Sequence, residues 1–152
     1  MKLDELLATN HIPFERLHHP PAYTAQRVAR FLHIPVGHVA KTVFLRTADG
    51  YALAVLPANR RVDMVRAGQC LGKGKAELAD EAEMEQVFQD CECGAMPPFG
   101  SIYHLPTVVD ESLARDESIV FEAQCHEKAI RMAYRDFEAI EHPRTGSFTV
   151  DA

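Results

Sequence analysis

The chain has 152 residues, 47% hydrophobic and 25% charged, with a formal net charge of −6 at pH 7. That length supports one domain with a real core and leaves too little for two. The acidic balance excludes a protein coated in basic surface for nonspecific nucleic-acid binding, and no apolar run reaches the roughly 20 residues of a membrane span.

The first residues, Met1-Lys2-Leu3-Asp4-Glu5, carry acids and no apolar stretch of signal-peptide length, so a cytoplasmic protein is expected. Cys70, Cys91, Cys93 and Cys125 are then expected as reduced thiols. From Lys2 to His11, Leu3, Leu6 and Leu7 recur at helical spacing, which predicts a short amphipathic helix stopped by Pro13. Phe14 to Leu17 reads as a short strand and His18-His19-Pro20-Pro21 as a rigid connector. Adjacent histidines on extended chain point to opposite faces, which argues against joint metal ligation. Thr24 suits the N-cap of a helix running to about Leu32. Ala40 to Thr47 and Tyr51 to Leu56 flank Ala48-Asp49-Gly50, a strong hairpin signal. Lys41 stands near the start of the first of these strands. A lysine there is ordinarily solvated at a sheet edge, and it acquires chemistry only where it points into a cleft.

Arg60 to Leu71 has helical spacing through Val62 and Val65, and Gly72-Lys73-Gly74-Lys75 follows as a flexible basic loop. The loop lacks the full Gly-x-x-x-x-Gly-Lys-Ser/Thr pattern, which excludes that type of nucleotide triphosphate site. Ala76 to Ala79 reads as a short strand, and Asp80 with Glu83 starts a capped helix through Phe88. Charge is split across this region. Arg60, Arg61, Arg66, Lys73 and Lys75 face one acid, Asp63, over residues 60–75, and residues 77–92 hold seven acids and no base. Such polarity suits a protein that grips a polyanion on one side, and equally two solvated faces of opposite sign.

Ser101 to His104, Thr107 to Asp110, Ser118 to Ala123 and Ala129 to Tyr134 read as strands, and Arg135 to Glu141 as a short helix or turn. Residues 142–152 show no period and read as a mobile tail. The expected organisation is one domain over 1–141 followed by that tail.

Between the acidic helix and the next apolar run lies Gly94-Ala95-Met96-Pro97-Pro98-Phe99-Gly100. Proline stiffens such a loop and glycine lets another group approach its backbone. The amides of Gly94, Ala95, Met96, Phe99 and Gly100 could receive a carbonyl oxygen or an anion. The same composition also serves as a plain tight connection. Other chemistries fit less well. Cys91, Cys93, Cys125 and His126 have zinc-binding atoms at the wrong spacing, so no metal is predicted. No Gly-x-Ser-x-Gly elbow is present, and the adjacency of Cys125 and His126 does not make a nucleophile–base pair. Electrostatic catalysis of ester hydrolysis is the remaining scheme, with loop amides at the oxyanion and Lys41 as a point cation.

Ala40-Lys41-Thr42-Val43-Phe44-Leu45, the 94–100 loop, and Phe121-Glu122-Ala123-Gln124-Cys125-His126-Glu127 occur in an order that resembles the YbaK and prolyl-tRNA-synthetase-associated editing domain family. Ile12-Pro13-Phe14 and His19-Pro20-Pro21-Ala22-Tyr23-Thr24 are similar to its free-standing members, and the likeness runs from about Leu3 to Ala139. The resemblance implies an α+β fold: a single domain with a mixed, curved, barrel-like β-sheet flanked by helices. It implies a trans-acting aminoacyl-tRNA deacylase without cofactors, acting on misacylated tRNA, with an aminoacyl-tRNA synthetase as a further partner and neither DNA nor membrane.

In that resemblance Lys41 matches the functional lysine. Gly94 to Pro98 matches the Gly-x-x-x-Pro loop that holds the aminoacyl carbonyl, so Lys41, Gly94 and Pro98 take the catalytic roles. A tRNA ribose hydroxyl helps to position or activate the attacking water. Ala95, Met96, Pro97, Phe99 and Gly100 are expected to shape the pocket, and Met96 to influence which amino acid fits. His126 matches the histidine of a Gly-Ser-His-like segment, but Gln124-Cys125 precedes it here, which leaves the amino acid open and makes Cys125 a lining residue. Arg60, Arg61, Arg66, Lys73 and Lys75 are candidates for acceptor-stem phosphates, with the acidic run facing away. A binding module of the same fold without turnover is the alternative, and no heptad or spare apolar stripe specifies an oligomeric state.

Overall fold

Three sheets and five α-helices organise residues 3–152, the part of the chain that the computed structural model describes. The expected start of the first helix at Lys2 lies outside the described residues. In chain order the elements are α1 (Leu3–Thr9), β1 (Phe14–His18), α2 (Ala25–Leu32), β2 (Ala40–Thr47), β3 (Gly50–Pro57), β4 (Arg60–Val62), α3 (Met64–Leu71), β5 (Glu77–Leu78) and α4 (Glu81–Val87). They continue as β6 (Thr107–Asp110), β7 (Ser118–Glu122), β8 (Lys128–Ala133), α5 (Tyr134–Glu141), β9 (Arg144–Gly146) and β10 (Thr149–Asp151).

The largest sheet has the order β5-β2-β3-β6-β9. The Asp49-Gly50 turn sets an antiparallel register with Thr47 opposite Gly50 and Lys41 opposite Leu56. Every residue from Ala52 to Leu56 is fully buried. A strand apolar on both faces belongs in the middle of a covered sheet, and β3 accordingly takes β6 as a parallel neighbour. The second sheet, β1-β8-β7, is antiparallel, and β4 pairs with β10 as a third. The two larger sheets touch at one isolated parallel bridge, Val39 to Val120. The larger of the two is mixed, and they lie against each other, but they are not closed into a barrel.

Of the four apolar clusters among the described residues, two bring helices against the sheets. On one side α1 and α5 bring Leu3, Leu7 and Phe137 against Phe99, Phe121, Ile130 and Met132. On the other, α3 brings Ala67 and Leu71 against Leu45, Leu56, Val108 and Phe148. The caps act as their sequences indicate. The Thr24 hydroxyl accepts from the Arg27 amide at 3.2 Å, and Asp80 and Glu83 exchange side-chain-to-amide bonds at 2.8 and 3.0 Å.

Three readings change. Arg60–Val62 is a strand, and the helix starts only at Met64, because the Asp63 carboxylate accepts from the Val65 and Arg66 amides and caps it there. The segment from Gly100 to Tyr103 is a 3-10 turn and not a strand. Residues 142–152 are built into the sheets: β9 extends the largest sheet beside β6, β10 pairs with β4, and Phe148 is fully buried. Strands of three residues show no period, which hides such pairing from the sequence.

Candidate active site

The parallel bridge between Val39 and Val120 fixes the geometry of a cleft. Strands β2 and β7 leave it in the same direction, and Lys41 and Glu122 each stand two residues further on. Both line a cavity of about 280 Å³, together with Tyr23 and Gln26 near the start of α2 and with Gly94 and Met96. Lys41 is half-buried, burial lowers the pKa of its ammonium, and it makes no ion pair among the described residues. Removing a charge from water without giving it a partner favours the neutral form, and an incoming anion restores the balance.

The 94–100 loop divides by function. Ala95 is held in place: its amide donates to the Glu92 carbonyl at 3.0 Å and its carbonyl accepts from the Gln124 amide at 3.0 Å. Gly94 has φ 88°, a left-handed conformation that a side chain would strain. The amides of Gly94, Met96 and Phe99 have no hydrogen-bond partner among the described residues. Pro97 and Pro98 are buried. Phe99 and Gly100, expected at the pocket, serve the core. The Phe99 ring is fully buried, edge-on to Phe121 and Phe137 at 5.8 and 5.2 Å. The Gly100 amide donates to the Thr107 hydroxyl at 3.1 Å, which donates in turn to the buried Glu141 carboxylate at 2.7 Å. Glu141 also takes the Ser101 amide and hydroxyl, so the loop ends in a hydrogen-bonded anchor.

His126 lies behind the loop. Its Nε2 is 2.8 Å from the Cys93 carbonyl, which only accepts, so Nε2 carries a hydrogen and donates. Its Nδ1 is 3.0 Å from Glu122 Oε2. With Nε2 fixed as a donor, that second contact is a hydrogen bond only if a proton lies between Nδ1 and the carboxylate. Burial pushes the Glu122 carboxyl above the ordinary carboxylate range, and Glu92 adds to the rise, while His126 opposes it. Tyr23, 74% exposed, lays its ring against His126 at 4.8 Å between centroids. Cys125 is placed elsewhere: it lines a separate cavity with Arg16, His18, Asp90 and Lys128. Glu122, Tyr23 and Gln26 are the cleft residues that sequence reasoning passed over. The available signals were the four-residue spacing of Glu122 from His126 and the position of Tyr23 beside the Thr24 cap.

The family model described as the aminoacyl-tRNA editing domain matches residues 19–140. The chain belongs to the aminoacyl-tRNA editing domain family. This editing domain is 24% identical over 153 residues to the prolyl-tRNA editing protein ProX of Acetoanaerobium sticklandii, covering 97% of this chain and 90% of that one. It is 26% identical over 152 residues to the multifunctional Ser/Thr-tRNA deacylase ProXp-y of Escherichia coli strain K12, again covering 97% and 90%. It is also similar to a segment of the proline–tRNA ligase of Thermosipho africanus, 25% identical over 87 residues, or 57% of this chain and 15% of the ligase. Among solved structures, hypothetical protein APE2540 superposes with a TM-score of 0.89 at 17% identity, covering 99% of this chain and 100% of that one. A candidate trans-editing enzyme for prolyl tRNA synthetase gives 0.84 at 20% identity, covering 97% and 94%. At those identities the structures establish the fold.

The basic run of the editing domain does not form one open patch. Four of its five residues already face an acid: Arg60 with Asp151, Arg66 with Asp63, Lys73 with Asp49 and Lys75 with Glu77. Lys73 sits at the tip of the β2–β3 hairpin, roughly 20 Å along the strand from Lys41 at ~3.4 Å per residue. Arg61 is exposed and makes no ion pair among the described residues. At the far end of the acidic run, Glu92 Oε1 accepts from the His126 amide at 3.3 Å. Among the described residues, no group of three or more His, Cys, Asp or Glu side chains is placed to hold a metal ion.

Proposed function

We propose that this chain is a trans-acting deacylase that hydrolyses the ester between a wrong amino acid and the 3′ end of tRNA. The observation that carries the reading is the half-buried, unpaired Lys41 in the same small cavity as Gly94 and Met96, whose amides have no internal partner. An ester carbonyl gains negative charge as water adds to its carbon. Amides already fixed in position meet that charge without reorganising, and losing one such donor typically costs ~3 kcal/mol. Lys41 supplies a point cation for the same charge or for a neighbouring phosphate. A ribose hydroxyl of the tRNA positions the water. When the tetrahedral intermediate collapses, the bond to the ribose oxygen breaks and that oxygen takes a proton.

The cavity, at about 280 Å³, lies just under the usual range for ligand pockets of ~300–1,000 Å³. It favours a small aminoacyl group, with the nucleotide remaining outside. The relatives named for prolyl-tRNA editing and Ser/Thr-tRNA deacylation support the same substrate class. The likeness to a ligase segment supports a synthetase as a partner in trans. Arg61 is the residue of the basic run to test first for acceptor-stem contact.

The test is release of amino acid from a panel of tRNAs misacylated with small amino acids. Lys41→Ala is expected to remove most of the turnover while circular dichroism stays unchanged. Unchanged turnover of every active substrate by that variant would overturn the role of Lys41. Folded wild-type protein that binds charged tRNA without releasing amino acid would make it a binding module.

A further inference from the structure

We propose that Glu122 forms an ammonium subsite, which holds the free α-amino group of the aminoacyl ester and thereby excludes N-acylated aminoacyl-tRNA and peptidyl-tRNA. The inference rests on the deacylase reading. Glu122 Oε2 is occupied by His126 Nδ1 at 3.0 Å, and Oε1 has no hydrogen-bond partner among the described residues. The side chain is only 11% exposed, yet it lines the cavity that also holds Gly94 and Met96. A largely buried carboxylate whose one unpaired oxygen remains open is well placed to take an incoming donor, and best of all a cation.

The protein itself does not supply a second donor. Lys41 lines the same cavity without pairing to Glu122. The His126 ring is held at both ends, with Nε2 on the Cys93 carbonyl, so it cannot turn to serve the other oxygen. The remaining charged neighbour, Glu92, is an acid and raises the demand. An aminoacyl ester brings what is missing. Its ammonium is bonded to the carbon next to the ester carbonyl, so a carbonyl oxygen on the loop amides carries that ammonium into the cavity. An ammonium offers three donors and a full charge. An N-acyl substrate offers one uncharged N–H and adds bulk to a cavity of about 280 Å³.

The experiment is a two-by-two comparison: wild type and Glu122→Gln, each with a small aminoacyl-tRNA and with its N-acetylated form, read as kcat/KM for amino acid release. Wild type is expected to favour the free amine by about 10- to 100-fold, the range of a hydrogen bond to a charged group. Glu122→Gln is expected to lose about that factor on the free amine and to change by less than about threefold on the acetylated substrate. Equal losses on both substrates would overturn the subsite, as would a wild type that does not discriminate. The wild-type comparison does not depend on how the variant folds, and the glutamine amide still offers a donor to Nδ1. If wild type releases nothing from any free-amine substrate, the deacylase reading fails and the subsite falls with it.

Discussion

A single methyl group at Gly100 tests how the 94–100 loop is anchored. The Gly100 φ is not left-handed, so Gly100→Ala costs contact and not backbone strain. The new Cβ would overlap the Thr107 hydroxyl and come within 2.5 Å of the Leu105 carbonyl oxygen. Neither neighbour is free to yield. The Leu105 amide is bonded to the Gly100 carbonyl at 2.9 Å, and the Thr107 hydroxyl links the Gly100 amide to Glu141. Overpacking of this kind costs about 1–3 kcal/mol. Displacing Thr107 adds the loss of two buried hydrogen bonds at about 1 kcal/mol each, with more for the one to a carboxylate. A loss of about 3–5 kcal/mol follows, which for a chain of this size lowers Tm by at least about 6 °C. Thermal unfolding followed by circular dichroism measures it. A shift under about 2 °C would refute the anchor, because Thr107 and Leu105 would then have yielded to the methyl group at little cost.

Two further outcomes follow from features already described. Phe148→Ala removes a fully buried ring from the cluster shared with Leu71 and Val108, and is expected to cost about 3–5 kcal/mol in urea unfolding; an unchanged midpoint would detach the final strands from the fold. The pH dependence of stability should carry the mark of Glu122. Burial holds its carboxyl above the ordinary range in the protein by itself, so the native state keeps a proton that the unfolded chain has released, and stability falls as pH rises through that window, whereas an ammonium bound beside it would draw the carboxyl back to its charged form. Glu122→Gln should flatten this decline in urea midpoints between about pH 5 and 8, and an unaltered decline would show that the carboxyl faced by His126 and Glu92 is not its source.

What was legible in the sequence was what contiguous residues decide. The Asp49-Gly50 turn, the Thr24 cap and the Asp80–Glu83 box each depend on neighbours within a few positions, and each forms as read. Lys41, Gly94 and Met96 were found because they stand in ordered motifs, and the fold brings them to one cavity. The misread residues are those whose meaning depends on direction or on distant partners. Met96 and Phe99 are three positions apart on one loop, yet Phe99 packs against Phe121 and Phe137, while Met96 borders the cleft and is buried in a different cluster with Phe44 and Phe88. Glu122 gains significance only when the Val39–Val120 bridge sets it beside Lys41, 81 positions away in sequence. The basic run is contiguous in sequence, but acids from distant segments, Asp49 and Asp151 among them, stand opposite Lys73 and Arg60.

The pairing of β1 with β8 also sets a schedule for biosynthesis. Arg131 on β8 bonds Glu15 on β1 across 116 positions, and among the described residues β8 is the one strand beside β1 in its sheet. At ~5–20 residues per second, β1 leaves the ribosome on the order of ten seconds before that neighbour exists. During that interval its backbone donors and the apolar side of α1 stand open to other nascent chains. A translational pause placed before Lys128 lengthens the exposure, because β1 cannot pair until β8 has been made and has left the ribosome.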